Sequence, residues 1–363
     1  RRLRRRSLFL EALGLGLGRL GGFLGRKDRG LGPITPGAVV TALADPNGPS
    51  LRAALEALGD QASAVTAFED GAALAQSSLV DAVIVSTPNF THRKVLEPLF
   101  DAQLPILCEK PLATTLEDAR WVVERAAAAG APFWTAMEYR YMPPVVAFLE
   151  EVHAGRIGDL RMLSIREHRF PFLKKVGDWN RFSENTGGTM VEKCCHFFDL
   201  MRLIVRSEAV RVYCSGAMDV NHLDERYDGR RPDIIDNSYT IVDFANGARA
   251  MLDLCMFADG AANQEEITAV GDRGRLDVFI PSGELVHSPR VGFRNPKRVE
   301  RRVVEVDEAA LKAGTHHGST FYEHQKFNAA VRGAGPVEVT AHDGLMAVAI
   351  GAAPSRMNWR RWC

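Results

Sequence analysis

Short apolar runs alternate with amphipathic segments through the first third of the chain. The runs are typical of β-strands and cover residues 38–45, 64–68, 80–86, 105–108 and 132–136. The segments between them have helical spacing and cover residues 50–58, 71–77, 91–102 and 115–129. A strand–helix alternation of this kind builds a parallel sheet with helices on both faces. The pattern therefore predicts a doubly wound α/β domain.

The pattern changes after Arg140. One further helix is predicted over residues 145–154, and strand-like alternation then dominates. The predicted strands cover residues 160–167, 210–215, 237–244, 248–257, 265–271 and 274–280. The dipeptide Asn246-Gly247 is a typical hairpin turn, and helices are expected over residues 188–205 and 319–331. We therefore expect a second, α+β domain with a large, mainly antiparallel open sheet.

The length of the chain bounds its domain organisation. A chain of 363 residues exceeds the usual size of one hydrophobic core, so two domains are expected. We place the first domain at residues 37–140 and the second at 141–350, between an atypical Arg/Gly-rich segment, 1–36, and a tail, 351–363. No uninterrupted apolar stretch has the length needed to span a bilayer.

Charge and cysteine content narrow the class of protein. Residues 1–36 hold nine lysines and arginines but two acidic residues, and the rest of the chain carries a net charge of about −7. A mildly acidic body argues against a nucleic-acid groove. The arginine-rich start is compatible with a transit peptide, a fragment or a misread frame. Six cysteines without a CxxC pair indicate reduced thiols and a cytoplasmic location.

Asp45 closes a predicted strand of the first domain. In a βαβ unit, an acid at this place accepts hydrogen bonds from an adenosine ribose and repels a 2′-phosphate, which favours NAD over NADP. The alternative is an aspartate that only caps the turn after the strand.

A glycine fingerprint for the cofactor phosphates is expected before Asp45. Gly16, Gly18 and Gly21 fit the spacing G-x-G-x-x-G, after a first strand at residues 8–13. The context is weak, because the helix that should follow contains further glycines and Asp45 lies farther away than usual. The three glycines are candidates for the cofactor cradle, and the alternative is a chance match in a glycine-rich segment.

Two turns at strand ends carry the clearest candidate chemistry. Residues 85–92 read VSTPNFTH, and residues 107–112 read LCEKPL. In open parallel sheets, ligands bind outside the carboxyl ends of the strands. We therefore expect both turns at a cofactor cleft, with the Lys110 amine facing it. A surface lysine beside a turn is the alternative.

The predicted helix over residues 188–205 carries an acid–base pair. Glu192 and His196 lie four positions apart and share a helix face, while most other positions are apolar. A buried imidazole partnered by a carboxylate suits a general base that takes a proton from an alcohol. Two alternatives remain: a core helix with a satisfied histidine, and a zinc site, for which no second ligand cluster has suitable spacing.

These motifs together resemble the Gfo/Idh/MocA oxidoreductase family over roughly residues 37–350. The motifs that carry the resemblance are Thr87-Pro88 with His92, Glu109-Lys110-Pro111, and the Gly-Gly helix that leads to His196 and Asp199. The resemblance implies an N-terminal Rossmann domain that binds NAD. It also implies a C-terminal α/β domain whose open sheet often forms the oligomer interface.

The resemblance further implies residue roles. Lys110 would contact the substrate hydroxyl and the nicotinamide ribose, and His196 would act as the acid/base, with Glu192 where the family usually has an aspartate. Candidates for the cofactor site are Gly16, Gly18, Gly21, Asp45, Thr87, Pro88, Asn89, His92, Glu109 and Lys110. Candidates for substrate contact are Arg140 and Tyr141 at the domain crossover and, more weakly, Trp179, Asn180 and His317.

The expected function is oxidation of a secondary alcohol of a polyol, cyclitol or sugar by NAD, with NADP less favoured, in a homo-oligomer. NAD-dependent glycoside cleavage through transient oxidation is a rival within the enzymes. A binding protein that has lost the cofactor is a rival outside them, supported by the weak glycine fingerprint. Nucleic acid, membrane and metal partners are not expected.

Overall fold

The computed structural model describes residues 7–11, 37–313 and 316–353 of the chain. The candidate glycines Gly16, Gly18 and Gly21 lie outside the described residues, and so does the tail beyond residue 353. Two sheets, of six and eight strands, dominate the described part. No helix within these ranges combines the length and the apolar character needed to cross a membrane.

The first sheet is parallel between all paired strands. Its strands are β1 (Ser7–Glu11), β2 (Val39–Ala44), β3 (Thr66–Phe68), β4 (Ala82–Val85), β5 (Ile106–Glu109) and β6 (Phe133–Ala136). They are ordered β3–β2–β1–β4–β5–β6. The order reverses between β1 and β4, and such a switch point is where open α/β sheets bind ligands. The doubly wound domain predicted from the sequence is confirmed.

Helices follow the strands of this sheet. They are α1 (Gly48–Leu58), α2 (Gly71–Gln76), α3 (His92–Asp101) and α4 (Leu116–Ala128). The Asn47 side chain caps α1 by accepting a hydrogen bond from Ser50 N at 3.0 Å. Thr115 caps α4 by accepting one from Asp118 N at 3.1 Å. Because these caps satisfy N–H groups that lack a partner inside the helix, they fix where each helix begins.

The second sheet is mainly antiparallel, as predicted. Its strands are β7 (Leu160–His168), β8 (Ala209–Ala217), β9 (Asn237–Phe244), β10 (Arg249–Cys255), β11 (Glu265–Gly271), β12 (Gly274–Ile280), β13 (Glu284–Pro289) and β14 (Glu300–Val303). They are ordered β14–β13–β12–β11–β7–β10–β9–β8, and β7 and β10 pair in parallel. The sequence pattern did not predict β13 and β14, which extend one edge of the sheet.

The remaining helices surround the second sheet and return to the first. They are α5 (Pro143–His153), α6 (Ser183–Thr186), α7 (Thr189–Glu192), α8 (Cys195–Val205), α9 (Glu308–Ala313), α10 (Ser319–Val331) and α11 (Ala341–Ala352). The helix predicted over residues 188–205 is thus two helices, α7 and α8. They separate because Cys194 N bonds to Thr189 O, five residues back, at 3.2 Å. Glu192 therefore ends one helix, and His196 lies in the first turn of the next.

Each sheet has its own apolar core, but the C-terminal helices pack on both. Phe327 of α10 and Val348 of α11 lie in the core of the first sheet, although they follow the second sheet in the chain. Ile350 of α11 lies in the core of the second sheet. The crossover at residues 140 and 141 therefore separates the two sheets, while the last two helices join them.

Candidate active site

The carboxyl ends of β2, β4 and β5 bring the predicted cofactor residues to one edge of the first sheet. Asp45 directly follows β2. Thr87, Pro88 and Asn89 follow β4, and Glu109 ends β5 immediately before Lys110. These strands flank the switch point between β1 and β4, so the arrangement is the one in which α/β sheets bind nucleotides.

Buried polar groups at this edge of the sheet are candidates to bind a ligand. Asp45 is buried, and its Oδ1 accepts a hydrogen bond from Asn47 N at 2.8 Å. The Thr87 hydroxyl and the Asn89 amide nitrogen are buried and have no hydrogen-bond partner among the described residues. Buried polar atoms are normally satisfied, so these two are candidates to bind a ligand.

His92 ties the two candidate turns together. Its Nε2 lies 3.1 Å from Thr87 O, and its Nδ1 lies 3.2 Å from Leu112 O. Burial of the imidazole lowers its pKa. Because both ring nitrogens face backbone oxygens, His92 positions the turns.

Lys110 joins the two domains. Its side chain is 6% exposed, and its Nζ donates a hydrogen bond to Glu192 O, at the end of α7, at 2.9 Å. The ammonium is thereby held at the junction between β5 and the helix pair that carries the predicted acid and base.

His196 is 2% exposed, and its ring stacks on Tyr139. The ring centroids are 4.1 Å apart, and the planes are 7° from parallel. Burial and then the positive charge of Lys110 lower the pKa of His196 well below its ordinary value. Its Nδ1 is buried and has no hydrogen-bond partner in the described part of the chain. The imidazole is therefore neutral near pH 7 and able to accept a proton.

Lys110 and His196 line the same cavity, of about 540 Å³, at the meeting of the two domains. Three other predicted residues line it as well: Glu192, Asn180 and His317. Polar residues that the sequence reasoning missed also line it: Tyr139, Arg169, Lys174, Lys175, Lys193, Gln264, Glu265 and His316. The cavity thus combines an amine from the first domain with an imidazole from the second.

Arg140 and Tyr141, predicted to line this cleft, line another cavity. The Arg140 guanidinium forms a two-point ion pair with Asp199, and the Tyr141 hydroxyl donates to Glu338 Oε2 at 3.0 Å. Both residues face a cavity of about 740 Å³ walled mainly by α5 and α10. They belong to a short 3-10 turn, in which neighbouring side chains point to different sides. Tyr139 of the same turn reaches the Lys110 cavity.

Trp179 does not line the cavity of Lys110 and His196 either. Its ring meets Phe90, beside the turn after β4, edge to face with centroids 6.1 Å apart. Its indole nitrogen is buried without a hydrogen-bond partner among the described residues. Trp179 therefore packs beside the predicted cofactor turn.

The missed residues carried a signal in the sequence. Glu265 occupies an inward-facing position of β11, in step with Ile267 and Ala269, where strand alternation predicts an apolar side chain. Lys193 stands in an otherwise apolar helical segment. A charged residue in a buried position is expected to have a partner that offsets the cost of burial. A role in function is one reason for a protein to retain such a buried charge.

Models of one protein family match both domains. The model described as "Oxidoreductase family, NAD-binding Rossmann fold" matches residues 16–137. The model described as "Oxidoreductase family, C-terminal alpha/beta domain" matches residues 150–356. The chain belongs to the Gfo/Idh/MocA family. The resemblance inferred from the motifs is thereby confirmed, and the chain is a member of an oxidoreductase family with an NAD-binding type of Rossmann domain.

Relatives with named activities share most of its length. The myo-inositol 2-dehydrogenase of Thermotoga maritima is 26% identical over 350 residues, which cover 94% of each chain. The inositol 2-dehydrogenase of Rubrobacter xylanophilus is 26% identical and covers 94% of this chain and 90% of its own. Levoglucosan dehydrogenase, solved in complex with NADH, superposes with a TM-score of 0.79 at 17% identity over 96% of both chains. The structural likeness supports the two-domain fold.

Proposed function

We propose that this Gfo/Idh/MocA protein is an NAD-dependent dehydrogenase that oxidises a secondary alcohol of a polyol, cyclitol or sugar. The observation that carries the proposal is the convergence of Lys110 and His196 on one cavity. The first follows a strand of the Rossmann sheet, and the second begins a helix of the other domain. The inositol dehydrogenases among the relatives support this substrate class.

His196 is the general base in this proposal. The substrate hydroxyl must lose its proton as the carbon loses hydride, and a neutral imidazole beside the hydroxyl accepts that proton. The lowered pKa of His196 keeps the imidazole neutral. Lys110 donates to the hydroxyl oxygen, where its positive charge stabilises the negative charge that develops.

Glu192 supports the base. It is buried at the end of α7 and lines the same cavity. A carboxylate in this wall would favour the imidazolium that His196 becomes after accepting a proton, as Glu138 does by raising the pKa of His196. Asn180 and His317, which also line the cavity, contact the remaining part of the substrate.

The edge of the first sheet would hold NAD. A bound nicotinamide supplies the hydride acceptor. Asp45 would accept hydrogen bonds from the adenosine ribose, and Thr87 and Asn89 would satisfy their buried polar atoms against the cofactor. The Asp45 carboxylate disfavours a 2′-phosphate, so NAD is preferred over NADP.

Lys110→Met and His196→Asn test the proposal directly. NADH formation is assayed with a panel of polyols and sugars that includes myo-inositol, and NADH affinity is measured by fluorescence titration. We expect each substitution to lower kcat by about 100-fold or more, because each removes a group that acts on the reacting hydroxyl. Lys94→Met, at an exposed lysine of α3, is the matched control and should behave as wild type.

Three outcomes would contradict the proposal. Unchanged turnover in either variant would reject the acid–base assignment. Products formed from glycosides without net NADH would indicate glycoside cleavage. Wild-type protein that shows no saturable NADH binding would favour a non-catalytic binding protein.

We also propose that the open face of the second sheet binds a second copy of the chain. Large apolar side chains are exposed on one face of four neighbouring strands, β7 to β10: Met162, Tyr213, Tyr239, Ile241 and Met251. Contiguous exposed apolar patches of this kind mark interaction surfaces. The sheet face that often forms the oligomer interface in this family is therefore suited to the same use here.

A further inference from the structure

Two glutamates of the second sheet occupy positions where its alternation predicts apolar side chains. Glu167 follows the inward-facing Ile165 on β7, and Glu265 precedes the inward-facing Ile267 on β11. In the antiparallel register of these strands, Glu167 and Glu265 are direct partners. Side chains directly opposite each other on one face are neighbours. We call Glu167 and Glu265 the carboxyl pair.

The carboxyl pair is buried beside two cations. Glu167 is fully buried, and Glu265 is 3% exposed. Lys193 Nζ lies 2.7 Å from Glu167 Oε1, and Arg169 Nη1 lies 3.5 Å from the same oxygen. Burial and the neighbouring Glu167 raise the pKa of Glu265 to about 8. The Glu265 carboxyl is therefore protonated near neutral pH, and a hydrogen bond joins it to the Glu167 side chain.

The protein does not satisfy all the oxygens of the pair. Glu265 Oε1 accepts a hydrogen bond from Gln264 Nε2 at 2.6 Å. Oε2 of Glu265 and Oε2 of Glu167 are buried, and apart from the hydrogen bond between the two carboxyls no donor among the described residues reaches them. Leaving a buried acceptor without a donor is unfavourable. Glu265 lines the cavity of Lys110 and His196, so a ligand in that cavity can supply the missing donor.

Lys193 connects the carboxyl pair to the proposed base. Its Nζ donates a hydrogen bond to the Tyr139 hydroxyl at 2.7 Å, and the Tyr139 ring stacks on His196. Every residue along this path is buried. Close-packed side chains therefore fix the position of the pair relative to the imidazole.

We propose that Glu265, backed by Glu167, is a substrate-binding residue that accepts a hydrogen bond from a second hydroxyl group, remote from the carbon that is oxidised. This inference rests on the proposed function and restricts it to alcohols with at least two free hydroxyls. A protonated carboxyl still has lone pairs that accept a hydrogen bond from a hydroxyl group. The positive charges of Lys110, Arg169 and Lys193 disfavour an ammonium group in the same place.

Glu265→Leu tests the subsite, with Glu266→Leu as the matched control. Glu266 is the next residue of β11 but faces the other side of the sheet, where it pairs with Arg166. KM and kcat are measured at saturating NAD for the polyol that the wild type oxidises best. We expect Glu265→Leu to raise KM about tenfold or more and to leave kcat within about threefold, because the lost hydrogen bond forms in both the ground state and the transition state. Glu266→Leu should leave both constants unchanged.

Glu265→Gln keeps an acceptor oxygen and should raise KM by a smaller factor than Glu265→Leu does. This variant tests the subsite if the leucine variant does not fold. An unchanged KM in the folded Glu265 variants, with an active wild type, would overturn the subsite alone. The subsite would also be overturned if Glu266→Leu raised KM as much as Glu265→Leu, or if the wild type oxidised cyclohexanol as efficiently as the polyol. A wild type that binds NADH but oxidises no polyol would overturn the proposed function as well.

Discussion

His196 is a buried imidazole among charged neighbours, and its protonation state decides whether it can act as a base. Burial has the largest effect on the pKa of His196 and lowers it. The positive charges of Lys110, Lys193 and His316 lower this pKa further, whereas Glu138 raises it. Because the net effect places the pKa well below 6.5, the imidazole stays neutral where an ordinary histidine would begin to take up a proton.

The pH dependence of turnover follows from this shift. A base acts when it is deprotonated, so kcat/KM should stay level as the pH falls through 6.5 and decrease only at a lower pH. Initial rates of NADH formation between about pH 5 and pH 8 measure the profile, since this is the range in which histidines normally titrate. Residual activity after return to neutral pH separates titration from unfolding. An acidic limb centred at or above 6.5 would contradict a neutral, buried base.

The helix α11 packs against elements of both domains near the cleft. A Cβ on Gly344 would lie 2.9 Å from the Thr135 side chain near the end of β6, and one on Gly351 would lie 2.6 Å from Met190 O in α7. The absence of a side chain at Gly351 lets α11 pack directly on the short helix that ends in Glu192. The position of Glu192 in the cavity wall therefore depends on a helix remote in sequence.

Gly351→Ala tests that packing. Alanine favours a helix over glycine by about 1 kcal/mol, but here its methyl group would meet backbone, and such overpacking costs about 1–3 kcal/mol. We therefore expect the free energy of unfolding to fall by up to about 2 kcal/mol, measured by denaturant unfolding, together with a lower kcat. Gly260→Ala, where a Cβ meets nothing within 4 Å, is the control. Wild-type stability of Gly351→Ala would show that α11 does not need the close approach.

At the scale of the whole molecule, the two faces of the second sheet have different surroundings. The inward face carries the core and, at its end, the carboxyl pair. The opposite face exposes apolar side chains to solvent, including Tyr239, which is 62% exposed, and Ile241, which is 45% exposed. Assembly through the open face would therefore leave the cavity free on the other side.

The double variant Tyr239→Glu/Ile241→Glu tests the assembly. It places two charges in the proposed contact, where their desolvation opposes association. We expect wild type to sediment as an oligomer and the variant as a monomer, with NADH affinity per chain unchanged. Leu79→Glu, at an exposed apolar residue of the first domain, should leave the assembly intact. Sedimentation of the wild type as a monomer would reject this surface as a self-contact.

Periodicity predicted the central strands and most helices, because a buried strand or helix needs apolar residues at regular intervals. It did not predict β14, whose four residues are all exposed and therefore carry no apolar pattern. Periodicity also predicted one helix where the structure has two, α7 and α8, because a one-residue irregularity in hydrogen bonding leaves the apolar character of the segment intact.

In the candidate site, too, some residues could be predicted from the sequence and others could not. Lys110 and His196 were predicted because strand-end position and helical spacing are local signals. Tyr139 and Arg140 are adjacent, and only the direction of a short 3-10 turn decides that the first faces the Lys110 cavity and the second faces Asp199.

The sequence by itself determined most of the strands and helices and the groups at the strand ends, because local periodicity and turn chemistry encode them. Only the tertiary structure decided which distant groups meet. Lys110 reaches the end of α7 across 82 positions of the chain, and Glu167 faces Glu265 through the register of two strands. Sheet order and register arise from the packing of whole elements, and a one-residue change of register would turn each side chain to the other face.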